Sequence, residues 1–173
     1  MMLRLARGSG IVVMLAWLAG CSAGRPDFVD LATLERPSSP NTYLACPAGW
    51  TAATVDREPP VWDITRDELE AIWLEALAAE PRLERRASEP EAHRHLFVQR
   101  TPVLRFPDIV QIAFLEAGNE AGTAAGTEAG TEPGTEPGNE AATLCIYSRS
   151  VYGYSDLGRN RARVEDWLAR IGP

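Results

Sequence analysis

Arginine is the residue with the most chemistry to offer in this chain, and it gathers near the C-terminus. Arg149 closes a run of strand character, and a Ser155-Asp156-Leu157-Gly158 turn leads into Arg159, Asn160 and Arg161. A guanidinium is a permanent cation with a planar fork of donors, suited to carboxylates and phosphates. At about 100° per residue, Arg161 falls in line with Leu157, Val164 and Leu168, on the core-facing stripe of a last helix. A cation placed there needs a carboxylate, because an unpaired buried charge is strongly destabilising. Asp108, Asp156 and Glu165 are the available partners. Two readings follow. In one, Arg149, Arg159 and Arg161 hold a small anion, such as a carboxylate, a phosphate or a lipid headgroup, with Gly158 leaving the first helical turn open and the helix N-terminus adding N–H groups. In the other, the same residues form an internal ion-pair network that locks strand, turn and helix together, the commoner fate of a buried arginine.

The remaining reactive side chains offer less. Ser148 and Ser150 flank Arg149 without a base nearby in sequence, and no Gly-x-Ser-x-Gly elbow occurs. No catalytic residue is assigned, which leaves a hydrolase-like enzyme of unknown substrate as the weakest reading. The two histidines, His93 and His95, sit two apart on a strand and so share a face. His-x-His is a metal pair in form, but no third ligand is visible in the sequence, and neither a metal nor a cofactor is expected. Cys46 and Cys145 lack a CxxC partner and metal-ligand spacing. An oxidising compartment favours their pairing as a disulfide, with two buried free thiols as the alternative.

The elements that position these residues can be read from periodicity. Thr65 followed by Glu68 forms a capping box, and Leu69, Ile72, Trp73, Ala76 and Leu77 recur at helical spacing until Pro81 stops the helix. Strands are expected over 83–88, 94–100, 101–106 and 109–116, with Pro107-Asp108 breaking the run. A further strand over 143–149 pairs with 109–116. The last helix runs from Ser155 or Asp156, either a good N-cap, to Ile171, with Leu157, Val164, Leu168 and Ile171 on one stripe and Trp167 on its flank. The expected fold is one α+β domain over 42–173, a small antiparallel sheet of four or five strands with two helices packed on one face.

Two stretches stand outside that domain. Residues 1–20 have a basic n-region with Arg4 and Arg7, then the short apolar run 11–18, too short to span a bilayer. The run ends in Leu18-Ala19-Gly20-Cys21, which resembles a bacterial lipobox, so Cys21 is expected to carry the lipid and 21–41 to serve as a tether. Phe28, Val29, Leu31 and Leu34 within it are apolar enough to pack on the domain. Ser22 after the lipidated cysteine favours the outer membrane over the inner. Residues 118–141 repeat a Gly-Thr-Glu-rich tetrapeptide that cannot bury an apolar face, and so read as a disordered insertion at a hairpin tip.

Sequence resemblance adds a family but no activity. The run from Ser148-Arg149-Ser150 through Gly153, Ser155-Asp156-Leu157-Gly158, Asn160-Arg161 and Arg163-Val164-Glu165 resembles the C-terminal signature of the domain of unknown function 1499 family. Ser39-Pro40-Asn41 with Ala45-Cys46-Pro47, and Leu104-Arg105-Phe106-Pro107-Asp108, are similar to two shorter landmarks of that family. The resemblance covers roughly residues 38 to 171.

Charge narrows the partners. All 17 basic residues are arginine, and once Arg4 and Arg7 of the signal are set aside, 24 acidic residues outweigh the rest. That balance excludes nucleic acid as a general partner, since phosphate backbones demand a basic surface. The expectation is a lipid-anchored cell-envelope protein facing the periplasm, binding or scaffolding rather than catalysing. Its partners would be the membrane, through the N-terminal lipid, and a small anion or another envelope protein.

Overall fold

A computed structural model describes residues 27–118 and 141–173. The lipobox at Cys21 and most of the tetrapeptide repeat lie outside those residues. Five strands form one antiparallel sheet: β1 (Thr42–Ala45), β2 (Leu83–Glu89), β3 (Arg94–Arg100), β4 (Pro107–Glu116) and β5 (Ala142–Ser150), in the order β1-β5-β4-β3-β2. Two helices complete it, α1 (Arg66–Ala78) and α2 (Arg159–Arg170). The chain is α+β with one sheet and two helices, as its periodicity predicts. Strand β1 was not legible: four residues are too few to show a period.

One face of the sheet meets both helices. Leu69, Trp73 and Leu77 of α1 and Val164, Trp167 and Leu168 of α2 are buried there, against Phe97, Val110, Ile112, Phe114, Leu144 and Ile146. Ile72 is the exception on α1, exposed where the spacing predicts burial, because the buried stripe follows 69, 73 and 77. Thr65 caps α1: its hydroxyl accepts from the Glu68 N–H at 3.1 Å, and the Glu68 carboxylate accepts from the Thr65 N–H at 3.0 Å.

The opposite face is covered by the N-terminal segment. Leu31 and Leu34 are buried with Leu44, Trp50, Ala113 and Tyr147, while Phe28 packs beside Leu96, Val98 and Ile109. The side chain of Gln111 grips this segment, accepting from the Val29 N–H at 2.9 Å and donating to its carbonyl at 2.8 Å. Residues 27–41 therefore belong to the folded domain rather than to a tether. Both sheet faces are covered, so β4 and β5 are buried along most of their length, even where β4 alternates Val110, Ile112 and Phe114 with Gln111 and Ala113. Cys46 and Cys145 form a buried disulfide on this second face, joining the end of β1 to β5.

The expected strand over 101–106 is a loop. Pro102 brings no N–H to a ladder. The Thr101 N–H instead donates to the Phe106 carbonyl, and the Phe106 N–H to the Thr101 hydroxyl, both at 2.9 Å. Arg105 takes a left-handed conformation, φ 58°, to close the bend. The loop links β3 to β4 and leaves Val103 and Leu104 in solvent.

Candidate functional site

At the end of β4 and β5 the sheet carries a buried polar network centred on Arg163. Its Nη2 donates to Asp108 Oδ2 at 2.6 Å, and both side chains are nearly buried, at 9% and 4% exposure. Its Nη1 donates to Ser148 Oγ at 2.7 Å and to Asn160 Oδ1 at 2.8 Å, and its Nε donates to the Gln99 side chain. Asn160 is fully buried and completely engaged. Its amide nitrogen donates to the Asn41 carbonyl at 2.8 Å and to Ser150 Oγ at 3.1 Å, while its oxygen also accepts from the Ser148 hydroxyl at 2.7 Å. The Ser150 hydroxyl in turn donates to Asp108 Oδ1 at 2.7 Å. Asn41 extends the chain by donating to the Gly153 carbonyl at 2.6 Å and accepting from Ser39 at 2.8 Å. Three stretches far apart in sequence, 39–41, 107–108 and 148–163, close on one another here.

This arrangement corrects the expectation for Arg161. Its side chain is 73% exposed and its only ion pair among the described residues is a long one to Glu165, at 3.9 Å. The error traces to Leu157. That residue stands before the helix at φ 56° and is 88% exposed, so it has no place on the stripe. Without it the buried stripe is Asn160, Val164, Trp167, Leu168 and Ile171, and Arg163 lies on its flank. Arg163 sits inside the signature, and helical phase alone does not single it out, because its partners Asp108, Ser148 and Gln99 come from strands distant in sequence.

The helix N-terminus differs from expectation too. The helix begins at Arg159 with Gly158 as N-cap, φ 78°, and not at Ser155 or Asp156. Asp156 satisfies the free amides from outside: its Oδ2 accepts from the Asn160 N–H at 2.7 Å and its Oδ1 from the Gly158 N–H at 3.0 Å. The anion at this N-terminus is thus the protein's own carboxylate. Arg149 stands half-buried and Arg159 exposed, and neither makes an ion pair among the described residues.

Above the network lies a hollow of about 450 Å³, between the 101–106 loop and the turn that follows β5. Asp108, Ser150, Asp156 and Arg159 line it together with Val103, Leu104, Phe106, Tyr152 and Leu157. These apolar side chains are exposed, Leu104 at 67%, and Phe106 meets Tyr152 edge-on with ring centroids 6.3 Å apart. Apolar side chains clustered in solvent around a hollow need an explanation that scattered ones do not.

Residues 132–171 match the family model of a protein of unknown function, DUF1499. The matched span takes in β5, the exposed turn and all of α2. No curated protein and no solved structure matches the chain significantly. The DUF1499 match thus includes Ser148, Ser150, Asp156, Asn160 and Arg163, while Asn41, Gln99 and Asp108 reach the same network from outside it. Among the described residues no helix is long and apolar enough to cross a membrane.

Proposed function

We propose that this chain is a lipid-anchored cell-envelope protein that binds an amphiphilic ligand rather than transforming one. Its binding surface is the hollow between the 101–106 loop and the turn after β5. The exposed apolar rim carries this reading: five aliphatic and aromatic side chains surround a cavity large enough for part of a lipid-sized molecule. Arg159 is the cation at its edge, placed to meet a carboxylate or phosphate headgroup. The Asp108–Arg163 network holds both loops in place, and with its charges already paired it presents a neutral floor. Ser150 and Ser155 line the hollow, but both histidines of the chain lie at the opposite, N-terminal end of β3, His93 just before it and His95 within it, which argues against acyl-transfer chemistry. The Leu18-Ala19-Gly20-Cys21 sequence supports the anchor, and Ser22 an outer-membrane destination.

Native mass spectrometry of the full-length chain extracted in mild detergent tests the reading, together with titration by a fluorescent anionic lysolipid. Wild type should bind one lysolipid, Leu104→Asn should weaken binding several-fold, and Arg159→Ala should weaken anionic lysolipids more than zwitterionic ones. Equal binding by all three proteins, or none by wild type, overturns it and favours a scaffolding role.

A further inference from the structure

The chain's two histidines converge on one carboxylate, a relationship the sequence did not reveal. Glu70, in the second turn of α1, reaches the sheet and is shared between them. Its Oε2 lies 2.7 Å from His93 Nδ1, and its Oε1 lies 2.7 Å from His95 Nε2. Asp67, one turn earlier on the same helical face, brings a second carboxylate to within 3.5 Å of His93 Nδ1. The carboxylates that His93 lacks nearby in the sequence are therefore supplied by a helix more than twenty residues earlier.

We propose that Asp67, Glu70 and His93 form a binding site for a divalent transition-metal ion of the zinc type. One oxygen from each carboxylate and His93 Nδ1 all lie within 4.8 Å of one another. Ligands at about 2.0–2.2 Å from a tetrahedral Zn²⁺ sit roughly 3.4 Å apart. The His93–Asp67 distance of 3.5 Å already has that value. The His93–Glu70 distance of 2.7 Å is that of a hydrogen bond, and it opens when the ion takes the place of the intervening proton. The Asp67 side chain is 81% exposed, so the fourth position faces solvent and takes water.

Three features distinguish this cluster from a simple clasp between helix and sheet. The first is charge: Asp67 and Glu70 both lie against His93 Nδ1, which has at most one proton to donate, while the other Glu70 oxygen is taken by His95. A divalent ion balances both carboxylates. The second is backbone. His93 holds a left-handed conformation, φ 47° and ψ 42°, just before β3 begins. Its N–H donates to the Pro90 carbonyl and its carbonyl accepts from the Phe114 N–H, each at 2.9 Å, so the position is fixed on both sides. The third is support for a ligand. His95 is buried and bridges Glu70 to Ser88, whose hydroxyl lies 2.8 Å from His95 Nδ1. That chain orients the Glu70 oxygen that does not bind the ion, as outer partners do in metal sites. His95 is a positioning residue here and not a ligand.

The test is competition for Zn²⁺ between the full-length chain, purified without a polyhistidine tag, and a chromophoric chelator. Cobalt(II) absorption reports the coordination. Wild type should take up one equivalent with a four-coordinate cobalt spectrum. Asp67→Asn changes an exposed side chain, and His93→Asn keeps a residue type that tolerates the left-handed backbone, so both should fold. Each should weaken Zn²⁺ binding at least about tenfold, and His95→Gln should weaken it by about 10- to 100-fold without changing stoichiometry. Failure of wild type to bind stoichiometric Zn²⁺ overturns the proposal. So does wild-type affinity in both Asp67→Asn and His93→Asn, which would assign the ion to other acidic groups, such as the glutamates of the 118–141 repeat.

Discussion

Arg163 and Asp108 form an ion pair at 2.6 Å across the junction of α2 and β4, and Ser148, Ser150, Asn160 and Gln99 hydrogen-bond around them. Both side chains are nearly buried in the folded state. Removing one partner leaves the other charge buried and uncompensated, at a cost of about 3–5 kcal/mol. Asp108→Asn and Arg163→Leu should each lower stability on that scale in urea unfolding. Arg161→Leu should change it by no more than about 0.5 kcal/mol, since that side chain is mostly in solvent. If Arg161→Leu proves the more damaging substitution, the network has been centred on the wrong residue.

The Cys46–Cys145 disulfide joins residues 99 apart in sequence, and the loop it closes includes the repeat insertion. Chain-entropy arguments place its contribution at about 4–5 kcal/mol as an upper bound, less whatever structure the unfolded chain retains. A Cys46→Ala/Cys145→Ala double variant should unfold at markedly lower urea than wild type. Wild type in strong reductant should behave the same way. A midpoint unmoved by both treatments would show that the bond adds nothing to stability.

Much of the fold could be read from period alone, while the candidate sites could not. The capping box at Thr65 and the apolar stripes of both helices are local patterns, and the alternation in β4 marked a strand without help from the rest of the chain. Arg161 drew attention because Leu157, which lies outside the helix, was counted on the buried stripe, while the partners that bury Arg163 come from strands distant in sequence. The partners of His93 were missed for a different reason. Glu70 and Asp67 are unremarkable as helix residues, and only the packing of α1 across β4 and β5 brings them to the start of β3. The apolar hollow was concealed by its own composition: Val103, Leu104 and Phe106 have strand propensity, and only Pro102 and Pro107 signalled a loop. Local signals survive in sequence, whereas convergence between distant segments does not.

The capping box makes a prediction that depends on pH. Bonds from the Thr65 backbone N–H first, and its hydroxyl second, hold the Glu68 carboxyl below the ordinary glutamate value. A carboxylate with a lowered folded-state pKa adds stability above its unfolded pKa and loses it as pH falls through the folded one. Thr65→Ala should cost about 1 kcal/mol at neutral pH. The gap between variant and wild type should narrow in acid, as Glu68 takes up its proton and its part of the box is lost. A gap that widens on acidification would contradict this assignment of the cap.

Cys21 is expected to decide where the protein resides. A single acyl chain gives only marginal membrane binding, whereas several chains on one residue, at about 0.8 kcal/mol for each buried CH₂, hold a domain stably. Wild type should incorporate labelled palmitate and sediment with membranes, predominantly with the outer-membrane fraction. Cys21→Ser should lose the label and move to the soluble fraction, because among the described residues the large exposed apolar side chains are those of the rim around Leu104 and a few scattered ones. The rim therefore sets up a second comparison. If Cys21→Ser still sediments but Cys21→Ser/Leu104→Asn does not, the rim engages the membrane itself. If both variants sediment equally, lipidation at Cys21 is not the anchor.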